Sequence, residues 1–143
     1  MVFFYLVLIN ACNQALSPSE IDLEPSALTF KVTIASGNDD AEERVSTDRG
    51  EGSISRSSRD LEMVRDRTDQ TIGLRFTRID IPQGATIDSA YIQFTAEDDD
   101  NEPTRLVLHA EASDNATAFS KSKYNISSRK KTSHSVSWQP SGW

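Results

Sequence analysis

From position 28 onward the chain repeatedly alternates apolar and polar residues, the two-residue period of a half-buried β-strand. Leu28, Phe30, Val32 and Ile34 alternate with Thr29, Lys31 and Thr33. The longest such stretch is Gln70–Ala96. There Ile72, Leu74 and Phe76 alternate with Gly73, Arg75 and Thr77, and Ile79 and Ile81 carry the pattern into Pro82-Gln83-Gly84. Proline presets φ and glycine supplies a left-handed position, so this tripeptide predicts a corner. Beyond it Ala90, Ile92, Phe94 and Ala96 alternate with Tyr91, Gln93 and Thr95. The stretch thus predicts two long strands with one apolar face, which would be Ile72, Leu74 and Phe76 in the first.

The pattern is weaker elsewhere. Ser36–Arg59 is polar, and a structureless loop of that length is uncommon in a compact domain. It is expected to hold a short strand near Ser53–Arg56 or to fold around a ligand. Asp60–Val64 predicts a further short strand, with Leu61 and Met63 on one face. The acidic run Glu97–Glu102 reads as a connection to a strand carrying Leu106, Leu108, Ala110 and Ala112. Asp114–Phe119 is expected to form one helical turn capped by Asp114, and a last strand centres on Val136 and Trp138. Six or seven short strands without a long helix predict an all-β fold, a jelly-roll-like β-sandwich. Such a sandwich needs covered faces and managed edges. By that count the sequence is one or two strands short, so a domain cut within its C-terminal part is expected.

The N-terminus follows a different pattern. Met1–Ile9, MVFFYLVLI, is continuously apolar, too short to span a bilayer and suited to the hydrophobic region of an export signal. Ile9-Asn10-Ala11-Cys12 resembles a bacterial lipobox, and Cys12 is the chain's one cysteine, which makes it the expected lipidation site. Asn10 and the missing basic n-region depart from that pattern. The expected organisation is a signal peptide over 1–12, a polar tether over 13–26 and a β-sandwich over 27–143. The protein is therefore expected to be exported, as a cell-surface lipoprotein or in secreted form.

Composition narrows the function. Hydrophobic residues at 36% and charged residues at 26% allow a modest core under a solvated surface. A net charge of −7 argues against a nucleic-acid binder, which needs a basic face. A single cysteine excludes an intrachain disulfide framework and a cysteine-rich zinc site. Hydrolase, zinc-protease and phosphate-loop motifs are missing from the sequence, and neither His109 nor His134 stands beside a nucleophile. A non-catalytic role is expected.

Four blocks together resemble a known module: SGNDDAEE (Ser36–Glu43), SSRDLEM (Ser57–Met63), Gln70–Ala96, and AFSKSKYNISSRKKTSHSVSWQPSGW (Ala118–Trp143). The module is an uncharacterised one of secreted, multidomain bacterial proteins, similar to jelly-roll carbohydrate-binding modules. The resemblance runs from about Leu28 to the end. It implies a β-sandwich, a further helix and strands beyond the final tryptophan, and a structural calcium at a strand end. Lys121, Lys123, Lys130 and Lys131 depart from the module's more neutral pattern.

Three sites are expected. Asp39, Asp40, Glu42 and Glu43, with Asp60 and Glu62, supply oxygens of the kind Ca²⁺ takes; a solvated acidic loop is the alternative. Tyr91 and Tyr124 could stack on sugar rings, Tyr91 from the polar side of its strand. Trp138, which shares a face with Val136, reads as core. The basic residues Lys121, Lys123, Arg129, Lys130 and Lys131 could meet an anionic polysaccharide or merely balance an acidic surface. The expected function is a non-catalytic, calcium-assisted module that binds or positions extracellular carbohydrate. The alternative is a structural or adhesive spacer in a larger surface protein.

Overall fold

A computed structural model describes residues 28–34, 36–45, 50–58, 60–63, 65–97, 99 and 101–142, and the backbone of 5–9. Cys12, the tether 13–26 and Trp143 lie outside the described residues. The fold is all-β. Nine strands and no helix occur among the described residues: β1 Tyr5–Ile9, β2 Thr29–Thr33, β3 Asp40–Arg44, β4 Ile54–Ser55, β5 Arg65–Asp66, β6 Thr68–Leu74, β7 Ser89–Gln93, β8 Leu106–Glu111 and β9 Lys131–Trp138. Every pairing is antiparallel. The chain divides into two compact units.

One unit is a three-stranded sheet in the order β2-β1-β7. Its register sets Lys31 and Tyr91 on either side of position 7, and Thr33 and Gln93 on either side of position 5. Thr29, Lys31, Thr33, Ser89, Tyr91 and Gln93 therefore share one face, and all are exposed. Phe30, Val32 and Ile92 lie on the other and are half-buried. This is the alternation expected of both strands. Tyr5–Ile9, expected as part of a leader, supplies the middle strand.

The other unit holds a four-stranded sheet in the order β4-β3-β6-β5 and the two-stranded ribbon β8-β9. The start of Gln70–Ala96, as far as Arg75, belongs to this unit through β6, while β7 pairs with β1. The two predicted strands are thus not partners, and the first ends at Leu74, short of the expected Ile81. The corner between them is present: Ala85 N–H donates to the Pro82 carbonyl at 3.1 Å, and Gly84 has φ of 81°.

The predicted apolar face of β6 is also reversed. Gly73 is buried, whereas Ile72 and Leu74 are half-buried. A Cβ built on Gly73 meets Phe119 Cζ at 2.6 Å and Ile126 Cδ1 at 3.1 Å. The missing side chain lets the loop between β8 and β9 press those two residues onto the sheet. Ala41, the partner of Gly73 across the ladder, completes the core with Phe119 and Ile126, and Ile54 packs against it. Burying the Phe and Ile side chains contributes roughly 1.5–3 kcal/mol each.

Two other expectations are corrected. Asp60–Met63 forms bends instead of a strand, and the short strand comes later, at β5. Asp114–Phe119 is not helical. Ser113 Oγ accepts from the Asn115 N–H at 3.3 Å, a local side-chain bond that competes with a helical turn. The turn occurs further on, where Ser128 N–H donates to the Tyr124 carbonyl at 3.0 Å.

Candidate functional site

The sequence DAEER lacks an apolar stripe, yet it forms β3, between β4 and β6. Its carboxylates are what allow this. Glu43 is 2% exposed, and its Oε2 accepts from the backbone N–H of Ile126 at 2.8 Å and of Ser127 at 3.0 Å. Glu42, also buried, accepts through Oε1 from Glu62 N–H at 2.9 Å. A carboxylate satisfied by backbone donors can be buried on a strand, and it fixes whatever carries those donors.

The two donors to Glu43 lie in 112–130, the long connection between β8 and β9. Its neck is closed by Ala112 N–H to the Lys130 carbonyl at 2.7 Å. Three arginines hold its body. Arg75 Nε donates to the Ala116 carbonyl at 2.7 Å, while its Nη1 pairs with Asp39 Oδ1 at 2.5 Å. Arg56 Nη1 donates to the Phe119 carbonyl at 2.9 Å and to Asn38 Oδ1 at 2.6 Å. Arg129 works from inside the loop. Its Nε donates to the Asn125 carbonyl at 2.8 Å, its Nη1 to Glu111 Oε2 at 2.8 Å and to the Thr117 carbonyl at 2.9 Å. The guanidinium also lies 4.5 Å from the Phe119 ring centroid, a cation–π distance. Arg129 was grouped with the surface lysines from sequence; its side chain is 12% exposed and it is a loop strut.

Tyr124 sits on this locked loop. Its N–H donates to the Gly52 carbonyl at 2.8 Å, and its ring covers the buried Gly52. A Cβ at Gly52 would fall 2.5 Å from Tyr124 Cε1, and Gly52 has φ of +73°. Tyr124 itself has φ of 60°, a left-handed conformation that costs a tyrosine about 1–2 kcal/mol. Even so, the residue is 42% exposed. The loop thus presents an aromatic ring backed by main chain on one side and open to water. Lys121 and Lys123, in the same loop, are exposed.

Tyr91, the other candidate stacking residue, is 49% exposed on β7, in the other unit. Trp138 is half-buried opposite Leu106. The six carboxylates expected for calcium have engagements of their own, Glu43 with the Ile126 and Ser127 amides. Asp39 pairs with Arg75, Asp60 accepts from Ser58 Oγ at 3.4 Å, and Glu42 accepts from the Glu62 backbone N–H. Burial pushes the Asp40 carboxyl above its usual range, a backbone hydrogen bond partly opposes this, and the adjacent Asp39 charge adds to it. Among the described residues no group of three or more His, Cys, Asp or Glu side chains could hold a metal ion. No helix among them is long and apolar enough to cross a membrane.

Sequence reading missed Arg56, Arg75 and Gly52. Arg75 carried a faint signal, a long cation standing in a strand of alternating residues. Gly52 carried another, as a glycine two positions from Gly50 in a polar run. No protein-family model, curated protein or solved structure matches the chain.

Proposed function

We propose that the chain is a non-catalytic carbohydrate-binding module in which Tyr124 is the stacking residue. The observation that carries this reading is an exposed aromatic ring fixed over Gly52 by a loop that Glu43, Arg56, Arg75 and Arg129 hold in place. Sugar rings pack their C–H faces on aromatic side chains, and a ring held before binding loses little entropy when the ligand arrives. Backbone strain at Tyr124 is the kind of feature a binding role explains. Tyr91, on the exposed face of β7, is a second stacking position in the proposal. The finer fold proposed is a jelly-roll-like β-sandwich. Export with lipid attachment at Cys12 belongs to the same reading, tested by fatty-acid labelling that Cys12→Ser abolishes.

Affinity electrophoresis in gels containing soluble polysaccharides tests the function. Retardation by at least one polysaccharide is expected, with loss in Tyr124→Ala and a smaller loss in Tyr91→Ala. Gly52→Ala keeps the tyrosine but collides with its ring, so it is expected to weaken retardation as Tyr124→Ala does. Unretarded migration across a broad panel would refute the proposal and favour a spacer role.

A further inference from the structure

We propose that the cleft formed by Ser36, Gly37, Asn38, Arg56, Ser57 and Lys121 binds the carboxylate of an acidic sugar. The site itself stands on its own geometry; only the choice of a sugar as bearer of the carboxylate rests on the function proposed above. The cleft has a volume of about 300 Å³, at the lower end of the range for small-molecule sites. Its polar lining is cationic or hydroxylic, apart from the Asn38 amide.

The turn at 36–39 builds one wall. Asp39 N–H donates to the Ser36 carbonyl at 2.8 Å, and Ser36 Oγ accepts from Asn38 N–H at 3.3 Å. Gly37 is pressed on the main chain opposite: a Cβ there would stand 2.5 Å from the Arg56 carbonyl oxygen. Arg56 forms the floor. Its Nη1 is committed to Asn38 and Phe119, but its Nε is buried with no hydrogen-bond partner. That Nε is enclosed by protein atoms, so the cleft meets Arg56 as a nearby positive charge. Lys121 supplies a second cation from the loop that carries Tyr124.

Charge selects the ligand. The chain is acidic overall, yet this cleft pairs Arg56 with Lys121. The neighbouring acids are already restrained. Asp39 is neutralised by Arg75, and Asp40, whose Oδ1 lies 3.8 Å from the position of a Gly37 Cβ, is a partly buried carboxyl. A carboxylate suits the positive field of Arg56, with the Lys121 ammonium as the point charge it meets. The Ser36 and Ser57 hydroxyls can serve ring hydroxyls. The ligand class is therefore a uronic acid residue.

The test is an NMR titration of the isotope-labelled full chain with galacturonate, galactose and sulfate at matched ionic strength. Galacturonate is expected to give saturable shifts at the Gly37, Asn38 and Ser57 amides, and galactose none there. Lys121→Gln is expected to weaken galacturonate about tenfold, the value of one charge-assisted contact, and Lys121→Glu to weaken it further. Unchanged Ile126 and Ser127 amide shifts show that these exposed substitutions leave the loop folded. Equal shifts with galactose, full affinity in Lys121→Gln, or sulfate binding as tightly as galacturonate would each overturn the assignment. Polysaccharide retardation is read separately. If it fails while galacturonate still shifts the cleft, the stacking proposal falls and the acid-sugar site stands; the converse result removes only this site.

Discussion

Replacing Glu43 by alanine tests the structural basis of the site, because one side chain joins the middle of the sheet to the loop that carries Tyr124. The substitution leaves two backbone donors, Ile126 N–H and Ser127 N–H, without the acceptor they share. Ile126 is 8% exposed, so water cannot readily replace that oxygen. Hydrogen bonds to a charged group contribute roughly 1.5–3 kcal/mol each. The two share one oxygen atom and do not add fully, which puts the expected loss at about 3–5 kcal/mol. Against a typical domain stability of about 5–15 kcal/mol this is a large fraction. The opposing term is the desolvation of a buried carboxylate, which Glu43→Leu relieves. Leucine still supplies no acceptor, so it is expected to destabilise too, by less than alanine. Glu43→Gln keeps one oxygen and is expected to cost about half as much as alanine. Urea unfolding followed by tryptophan fluorescence gives the free energies, and hydrogen exchange locates the loss. Ile126 and Ser127 should lose protection first. A loss below about 1 kcal/mol for Glu43→Ala, or unchanged protection at those two amides, would refute the account of a carboxylate-pinned loop.

Three further predictions follow from other groups. The Asp40 carboxyl titrates above its ordinary 3.8 because it is partly buried, so the folded protein favours its protonated form; that relative stabilisation is complete below the unfolded value and is lost as pH rises through the folded one. Asp40→Asn is therefore expected to raise the melting temperature at pH 7 and to leave it nearly unchanged at pH 3, and a rise of equal size at both would show that charge is not the cause. Calcium at the expected carboxylates must compete with Arg75 for Asp39 and with Glu62 N–H for Glu42, so thermal melts in Ca²⁺ and in chelator should coincide; a clear upward shift in Ca²⁺ would mean that these contacts give way to the ion. Deleting residues 1–11 removes β1 from between β2 and β7, and amide protection in Thr29–Thr33 and Ser89–Gln93 should fall while that in Asp40–Arg44 persists. Protection retained in both regions would show that β1 is dispensable.

What the sequence disclosed, and what it hid, depends on where each strand finds its partners. β2 and β7 were legible because apolar and polar residues alternate along them, a property each strand carries by itself, whereas β9 is exposed along most of its length, Val136 included. β3 was not legible. Asp40, Glu42 and Glu43 read as an exposed acidic loop or a calcium site, because the groups that make their burial tolerable are N–H donors at positions 62, 126 and 127. A local pattern cannot register donors that distant. β6 failed for a related reason: its core contact is made where Gly73 lacks a side chain, so the most hydrophobic positions flank the packed row instead of forming it. Tyr124 is legible as an exposed aromatic, like Tyr91, but its preorganisation is not, since that depends on Gly52 and three arginines drawn from three separate segments. The same reasoning sets a limit on what mutation can teach. Substitutions on β2 or β7 should act through their own burial. Those on β3, at Gly52, at Arg75 or at Arg129 should act at a distance, on the loop. A loss of carbohydrate binding in Arg75→Ala without any contact between Arg75 and ligand is therefore the expected behaviour of this architecture.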